Sequence, residues 1–224
     1  TFSLTEFCIM AHLLRHGDRT TLNIKERMQD IIAKEAAAVQ AISVNDAFEE
    51  AVNKLLNCRG KVVTTGIGKA GYIAHKFAAT LSSTGTPSFF VHPAEAGHGD
   101  LGMLSEGDCI VAFSTSGKSN EVIEMLQIAH NLGTDAVIGI TSHVDSPLRD
   151  LSHVILDMGS DIEEPCPLKI TPSATIAVML AISDALALTL MELKGFTSAD
   201  YHARHHKGYL GSVTRPAHHY DSEN

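Results

Sequence analysis

Residues 61–71 read Lys-Val-Val-Thr-Thr-Gly-Ile-Gly-Lys-Ala-Gly, which is the pattern of a strand followed by a helix. The β-branched run at 61–65 predicts a buried strand, and the glycines after it predict a tight turn into a helix over 69–83. A second unit of this kind follows, in which an apolar strand at 109–113 leads through Ser-Thr-Ser-Gly into a helical pattern. Strands that alternate with helices are typical of a parallel sheet covered on both faces.

The rest of the chain extends the same alternation. Further helices are predicted over 22–42, 45–58, 121–132, 147–151 and 173–194, and further strands over 87–91, 136–140 and 153–156. The expected fold is α/β, a three-layer sandwich of about five parallel strands in the flavodoxin-like, doubly wound arrangement. We expect an N-terminal extension at 1–21, one domain over 22–212 and a polar tail at 213–224.

Composition narrows the class of partner. The 224 residues carry a formal net charge of −9, which disfavours a nucleic-acid or anionic membrane surface. The four cysteines are widely spaced, which fits a reduced cytoplasm and neither a disulfide framework nor a zinc knuckle. Residues 174–191 are apolar but contain Asp184, so a core or interface helix is expected there rather than a membrane span.

The serines at the second loop predict an anion site. Ser114, Ser116 and Ser119 place three hydroxyls beside the free amide groups of a helix N-terminus, which is where proteins bind phosphate. A simple helix cap would need only one of the three.

The first loop admits two alternatives. Gly66, Gly68 and Gly71 match the dinucleotide fingerprint, but an NAD site would need an acid at the end of the next strand, and that strand ends at 91–92 without one. A tight strand–helix turn is the other alternative. Lys69 opposes the dipole of the helix that it begins, and a bound anion explains it better.

Acids and histidines complete the candidate chemistry. Glu164 follows the fifth strand and is either part of a solvated loop or a candidate base. Of the 13 histidines, His202, His205 and His206 have a spacing that suits zinc, but no cysteine or carboxylate completes the set, so no metal is expected.

Four segments resemble the D-arabinose-5-phosphate isomerases, which carry a sugar-isomerase (SIS) domain. They are 66–71, 84–102 with its His-Pro-Ala-Glu-Ala-Gly-His-Gly-Asp run, 114–117 and Cys-Pro-Leu at 166–168. The resemblance covers about residues 22–212. It implies interconversion of D-ribulose 5-phosphate and D-arabinose 5-phosphate, whose product feeds 3-deoxy-D-manno-octulosonate (Kdo) synthesis for lipopolysaccharide or capsule. It also implies a homotetramer without cofactor, and inhibition by a downstream Kdo-pathway metabolite is a further expectation.

The family's site residues fall on definite positions of this sequence. The resemblance implies catalytic roles for Lys69, His98, Glu121, Glu164 and His205. It implies phosphate binding by Ser114, Ser116 and Ser119, and a substrate-binding loop containing Gly66, Gly68, Ser83 and Thr84. Three features depart from the family: the chain ends without regulatory CBS modules, Lys118 replaces a frequent glutamate, and His-His-Lys-Gly at 205–208 replaces His-Pro-Gly-Gly.

An aldose–ketose isomerase moves a proton between C1 and C2 through a cis-enediolate, so it needs a base and nearby positive charge. We expect Glu164 to be that base, with Glu121 as second choice, and Lys69 to stabilise the enediolate. His98 and His205 would move hydroxyl protons, and His205 would enter from a neighbouring protomer. The alternative class is a non-catalytic phosphosugar sensor, which would need the serine loop but not these residues together.

Overall fold

The computed structural model describes residues 22–205 and 207–214, so the predicted N-terminal extension, His206 and most of the tail lie outside it. Five parallel strands form one sheet in the order β2-β1-β3-β4-β5. The strands are β1 (Val62–Gly66), β2 (Ser88–Phe90), β3 (Cys109–Phe113), β4 (Ala136–Thr141) and β5 (Val154–Asp157).

Helices cover both faces of this sheet. In chain order they are α1 (Ile24–Gln40), α2 (Asp46–Leu56), α3 (Gly68–Ser83), α4 (Pro93–Ala96), α5 (Asn120–His130), α6 (Pro147–Asp150), α7 (Ala174–Leu193), α8 (Ser198–Arg204) and α9 (Gly208–Val213), with a 3₁₀ turn at Asp100–Met103. One face carries α2, α3 and α7, with α1 packed outside them, and the other carries α4, α5 and α6.

The strands contribute side chains to two separate hydrophobic cores, because successive side chains along a strand point to opposite faces of the sheet. On β3, Val111 and Phe113 enter the cluster under α3 and α7, and Ile110 and Ala112 enter the cluster under α5. A strand buried on both sides has no polar alternation, which is why it reads as a continuous apolar run. The predicted three-layer α/β fold is confirmed.

Helix α7 is the centre of its layer. It is apolar and long enough to cross a membrane by length and composition alone, but half of it is buried in the fold. It packs against α1, α2 and α3, so here it is a core helix. Its one acid in the apolar stretch, Asp184, forms an ion pair with Lys76 of α3 at the surface between the two helices.

The strand order places the switch point of the sheet between β1 and β3. The chain leaves β1 through α3 to reach β2 on one side, and then crosses to β3 on the other side. Loops that follow strands on either side of a switch point diverge and leave a crevice at the carboxyl edge of the sheet. The glycine loop after β1 and the serine loop after β3 border this crevice.

Candidate active site

A cleft of about 290 Å³ lies at the switch point. Both predicted loops line it, together with the segment that leads into α7. The lining residues are Ile67, Lys69, Ala70, Phe113, Ser114, Thr115, Ser116, Ser119, His143, Pro172 and Ile176. The structure therefore brings together Lys69 and the three serines.

The serine loop folds around its own hydroxyls. Ser114 is buried, and its Oγ accepts the Gly117 N–H at 3.1 Å and lies 3.1 Å from Ser119 Oγ. Ser116 Oγ accepts the Lys118 N–H at 3.2 Å. Ser119 is the N-cap residue of α5, yet its side chain makes no capping bond to the helix. The amide groups of the first turn of α5 are therefore free to bind an anion.

Gly117 fixes the path of this loop. Its φ is +63°, a conformation that costs other residues about 1–2 kcal/mol. A Cβ at this position would lie 2.3 Å from Ser146 Oγ and 2.7 Å from Ser146 Cβ. Only glycine lets the loop turn this closely against the start of α6.

The loop is also tied to the end of β4. The carbonyl oxygen of Thr115 accepts the Ser142 N–H at 3.0 Å, the Ser142 hydroxyl at 2.9 Å and the Thr141 hydroxyl at 3.1 Å. Since each donor follows or ends a buried strand, the serine hydroxyls are held in place before any ligand arrives.

The glycine loop lets α3 approach the sheet closely. A Cβ on Gly71 would lie 2.6 Å from the Gly66 carbonyl oxygen, and one on Gly66 would lie 3.0 Å from Phe113 O. Gly68 opens the helix with φ +61°. Lys69 follows in the first helical turn, is exposed to the cleft, and has no ion-pair partner among residues 22–205 and 207–214.

Glu164 has a different environment from the one predicted. Its carboxylate is 9% exposed and caps the N-terminus of α7. Oε2 accepts the N–H groups of Ser173 and Ala174, both at 2.8 Å, and Oε1 accepts the Thr175 N–H at 3.2 Å and the Thr175 hydroxyl. A carboxylate at a helix N-terminus satisfies free amide groups and complements the dipole. Glu164 thus positions the helix that lines the cleft.

The loop at 163–173 is held from outside by α1. Arg27 donates to the Pro165 carbonyl, and the Ser173 hydroxyl donates to Glu35. Within the loop, hydrogen bonds from Thr171, and backbone N–H groups beside it, lower the pKa of Cys166 to about 7. This loop is therefore rich in donors, which favours negatively charged groups.

Glu121 and His98 lie at the same edge of the sheet as the cleft but do not line it. Glu121 is exposed in the first turn of α5, directly after Ser119 and Asn120. His98 is exposed in the turn after α4, and α4 packs against α5. Both side chains are open to solvent in this chain.

Ser83, Thr84 and His205 are not near the cleft of their own chain. Ser83 and Thr84 end α3, about 24 Å from its first residue, and their hydroxyls donate to the Thr80 carbonyl. His205 lies at the C-terminal end of α8, which follows α7. Phe196, between these two helices, packs so closely against Gly85 that a Cβ on Gly85 would lie 2.6 Å from the Phe196 ring. These residues therefore share the opposite edge of the molecule, because a helix that follows a strand returns to the amino edge of the sheet.

The His205 ring is oriented by its own helix. It stacks on Tyr201 with centroids 4.0 Å apart, and Nδ1 lies 3.2 Å from the Tyr201 carbonyl oxygen. Because Nδ1 lies against that carbonyl, Nε2 is the ring nitrogen left for another partner.

One titratable residue that lines the cleft was not predicted from the sequence as a site residue. His143 lies in the loop after β4 and lines the cleft beside the serine loop. The rule that ligands bind after strand ends could have found it. Among the described residues, no group of three or more His, Cys, Asp or Glu is arranged to hold a metal ion.

The sheet and cleft define a class of protein, and comparison with known proteins identifies it. The sequence profile of the SIS domain matches residues 54–189, which contain all five strands and both loops. A solved Bacteroides fragilis protein, assigned as a phosphosugar isomerase involved in capsule formation, is 44% identical with a TM-score of 0.80, covering 84% of this chain and 100% of that one. A solved Escherichia coli protein in complex with arabinose 5-phosphate is 37% identical with a TM-score of 0.76, covering 80% and 97%.

Curated sequences narrow the class further. The arabinose 5-phosphate isomerase KdsD of Pseudomonas aeruginosa is 43% identical over 185 residues, which is 82% of this chain and 56% of that protein. The chain belongs to the SIS domain family, and the curated relatives that it matches are named arabinose 5-phosphate isomerases. It spans a little over half the length of the curated relatives that it matches.

Proposed function

We propose that this protein is an aldose–ketose isomerase that interconverts D-ribulose 5-phosphate and D-arabinose 5-phosphate through a cis-enediolate. The observation that carries the proposal is the cleft in which Lys69 faces a loop of three serines in a chain whose curated relatives are named arabinose 5-phosphate isomerases. The enzyme would act in the cytoplasm, and its product would supply Kdo synthesis for lipopolysaccharide or capsule.

The serine loop binds the substrate phosphate. Ser116 and Ser119 and the amide groups at the start of α5 converge on one side of the cleft. Fixing the phosphate there holds the reacting carbons at a set distance, which is how positioning lowers a barrier. Lys69, across the cleft, stabilises the negative charge that develops on the enediolate oxygens.

We assign the base that moves the proton between C1 and C2 to Glu121 rather than Glu164. Both oxygens of Glu164 already accept hydrogen bonds from α7, so accepting a substrate proton would break the cap of that helix. Glu121 is exposed and stands in the helical turn that follows the phosphate loop. His98, at the same edge, is placed to move hydroxyl protons.

The far-edge residues act in the cleft of another subunit. In one chain Ser83, Thr84 and His205 lie at the opposite edge from Lys69. A homotetramer in which the amino edge of one protomer meets the carboxyl edge of another would bring the two sets together. Inhibition by a downstream Kdo-pathway metabolite is a further part of this proposal.

Incubation with ribulose 5-phosphate in heavy water, followed by NMR, tests this function. The proposal predicts D-arabinose 5-phosphate that carries deuterium at C2, formed without added NAD or metal, because the enediolate takes up a solvent deuteron. Binding of the sugar phosphate without any new product would instead identify a sensor. Absence of a new sugar phosphate under conditions that saturate the protein would overturn the proposal.

A further inference from the structure

His143 is held against the backbone of the serine loop. Its Nδ1 lies 3.2 Å from the Thr115 carbonyl oxygen and 3.3 Å from Ser142 Oγ. Its own carbonyl accepts the Arg149 Nε–H at 2.6 Å. The imidazole is exposed, and it lines the same cleft as Ser116 and Lys69. Both the ring and its backbone are therefore anchored beside the proposed phosphate site.

These contacts engage Nδ1 and leave Nε2 as the ring nitrogen that can meet a ligand. The charged imidazole donates from both nitrogens, so Nδ1–H can bond the Thr115 carbonyl while Nε2–H is available to a ligand. The Ser142 hydroxyl donates to that same carbonyl at 2.9 Å, which leaves its oxygen free to accept from Nδ1 as well. In the neutral tautomer with its proton on Nδ1, Nε2 has a lone pair, which repels the oxygens of a phosphate.

We propose that His143 is an additional phosphate-binding residue, and that it takes up a proton on Nε2 when the dianion binds. This inference rests on the proposed function for the identity of the ligand. Proton uptake converts the lone pair on Nε2 into a charged donor, and hydrogen bonds between charged partners are the strong ones. Histidine is suited to this exchange because it changes charge between about pH 5 and 8.

Other charged groups surround His143, and the test must separate them from it. Lys69 lines the same cleft, and Lys118 lies in the serine loop, where its N–H donates to Ser116 Oγ. Arg149 of α6 forms an ion pair with Asp157 at the end of β5, and Asp145 lies two residues further along the same loop. Substitution of His143 alone distinguishes its protonation from the effects of these neighbours.

Sulfate is the appropriate probe because it remains a dianion over the whole range in which histidine titrates, whereas a phosphate ester gains and loses a proton there. Calorimetric titration of the complete chain with sulfate at about pH 6 and about pH 8 should show tighter binding at the lower pH. We expect a difference of about tenfold, the lower limit for one hydrogen bond to a charged group. In His143→Gln, this difference in sulfate affinity between the two pH values should nearly disappear. At both pH values the variant should bind sulfate as weakly as the wild type does at the higher pH.

His130→Gln is the matched control, since His130 is an exposed histidine on α5 that does not line the cleft. This variant should keep the wild-type dependence on pH. An equal dependence on pH in His143→Gln and wild type would overturn the inference, as would a wild-type protein that binds no sulfate at the lower pH. Because sulfate binding needs no turnover, it can fail while isomerisation persists, and it can succeed in a protein that proves to be only a sensor.

Discussion

At the residue scale, the three serines of the cleft have different tasks. Ser114 is buried and its hydroxyl is used inside the loop, where it accepts from Gly117 and contacts Ser119. Ser116 is half-exposed, and its oxygen accepts the Lys118 N–H while its own O–H remains free to donate. Ser116 is therefore the serine whose loss should affect the ligand more than the loop.

Ser116→Ala should lower kcat/KM for arabinose 5-phosphate by about ten- to a hundredfold, because one hydrogen bond to a charged phosphate is lost. Steady-state kinetics measures this effect, and unphosphorylated arabinose should be a very poor substrate for both proteins. Ser160→Ala is the control, since Ser160 is exposed and does not line the cleft. An unchanged kcat/KM in Ser116→Ala would remove this serine from the phosphate site.

At the element scale, our proposal assigns the base to Glu121, because the structure shows Glu164 capping α7. Glu164→Gln keeps the shape of the side chain but places an amide NH₂ group where N–H donors now meet an oxygen. We expect its free energy of unfolding to fall by about 1.5–3 kcal/mol, with kcat changed by less than about tenfold. Glu121→Gln should keep its stability and lose at least about 10² in kcat, the low end for a general base.

Glu163→Gln provides the matched control for these measurements. This substitution removes the same charge at the position just before Glu164. The carboxylate of Glu163, however, is exposed and pairs with Lys169 at the surface. In thermal unfolding, Glu163→Gln should have the same midpoint temperature as the wild type. If Glu164→Gln unfolds like the wild type and is inactive while Glu121→Gln works normally, Glu164 is the base and our assignment is reversed.

Elements buried on both sides could be predicted most accurately from sequence. The strand at 109–113 was predicted at its observed bounds, because both faces of β3 are covered and every residue is apolar. Helices α4, α8 and α9 were not predicted, although Thr197 and Asp200 form a capping box that signals α8. Short helices bury little surface and leave no periodic pattern.

The position of the site could be predicted from sequence, because backbone geometry brings the loops after parallel strands to one edge. The contacts that each side chain makes there were harder to predict. The strand-end rule placed Lys69 and the three serines at one edge, and the structure brings them together. The same rule placed Glu164 there too, but sequence does not show that an acid folds back to cap the helix that follows it. His143 was missed because an exposed loop histidine has no distinguishing pattern of its own.

At the scale of the whole molecule, the fold separates the proposed catalytic groups. Lys69 and the serines lie at the carboxyl edge of the sheet, and His205 lies beyond the far end of α7, a helix about 30 Å long. No rotation of a side chain closes such a gap. The proposed active site is therefore complete only when two protomers contribute to it.

Mixed oligomers of Lys69→Ala and His205→Ala test this claim most directly. Each variant alone should be nearly inactive, but unfolding them together and reassembling them should create sites with Lys69 from one chain and His205 from another, and isomerase activity should return. Lys69→Ala mixed with Ser116→Ala is the control, because both residues line one cleft and no mixed site has both. If mixed oligomers form and the first pair recovers no more activity than the control pair, His205 does not serve a neighbouring cleft and the shared site is contradicted.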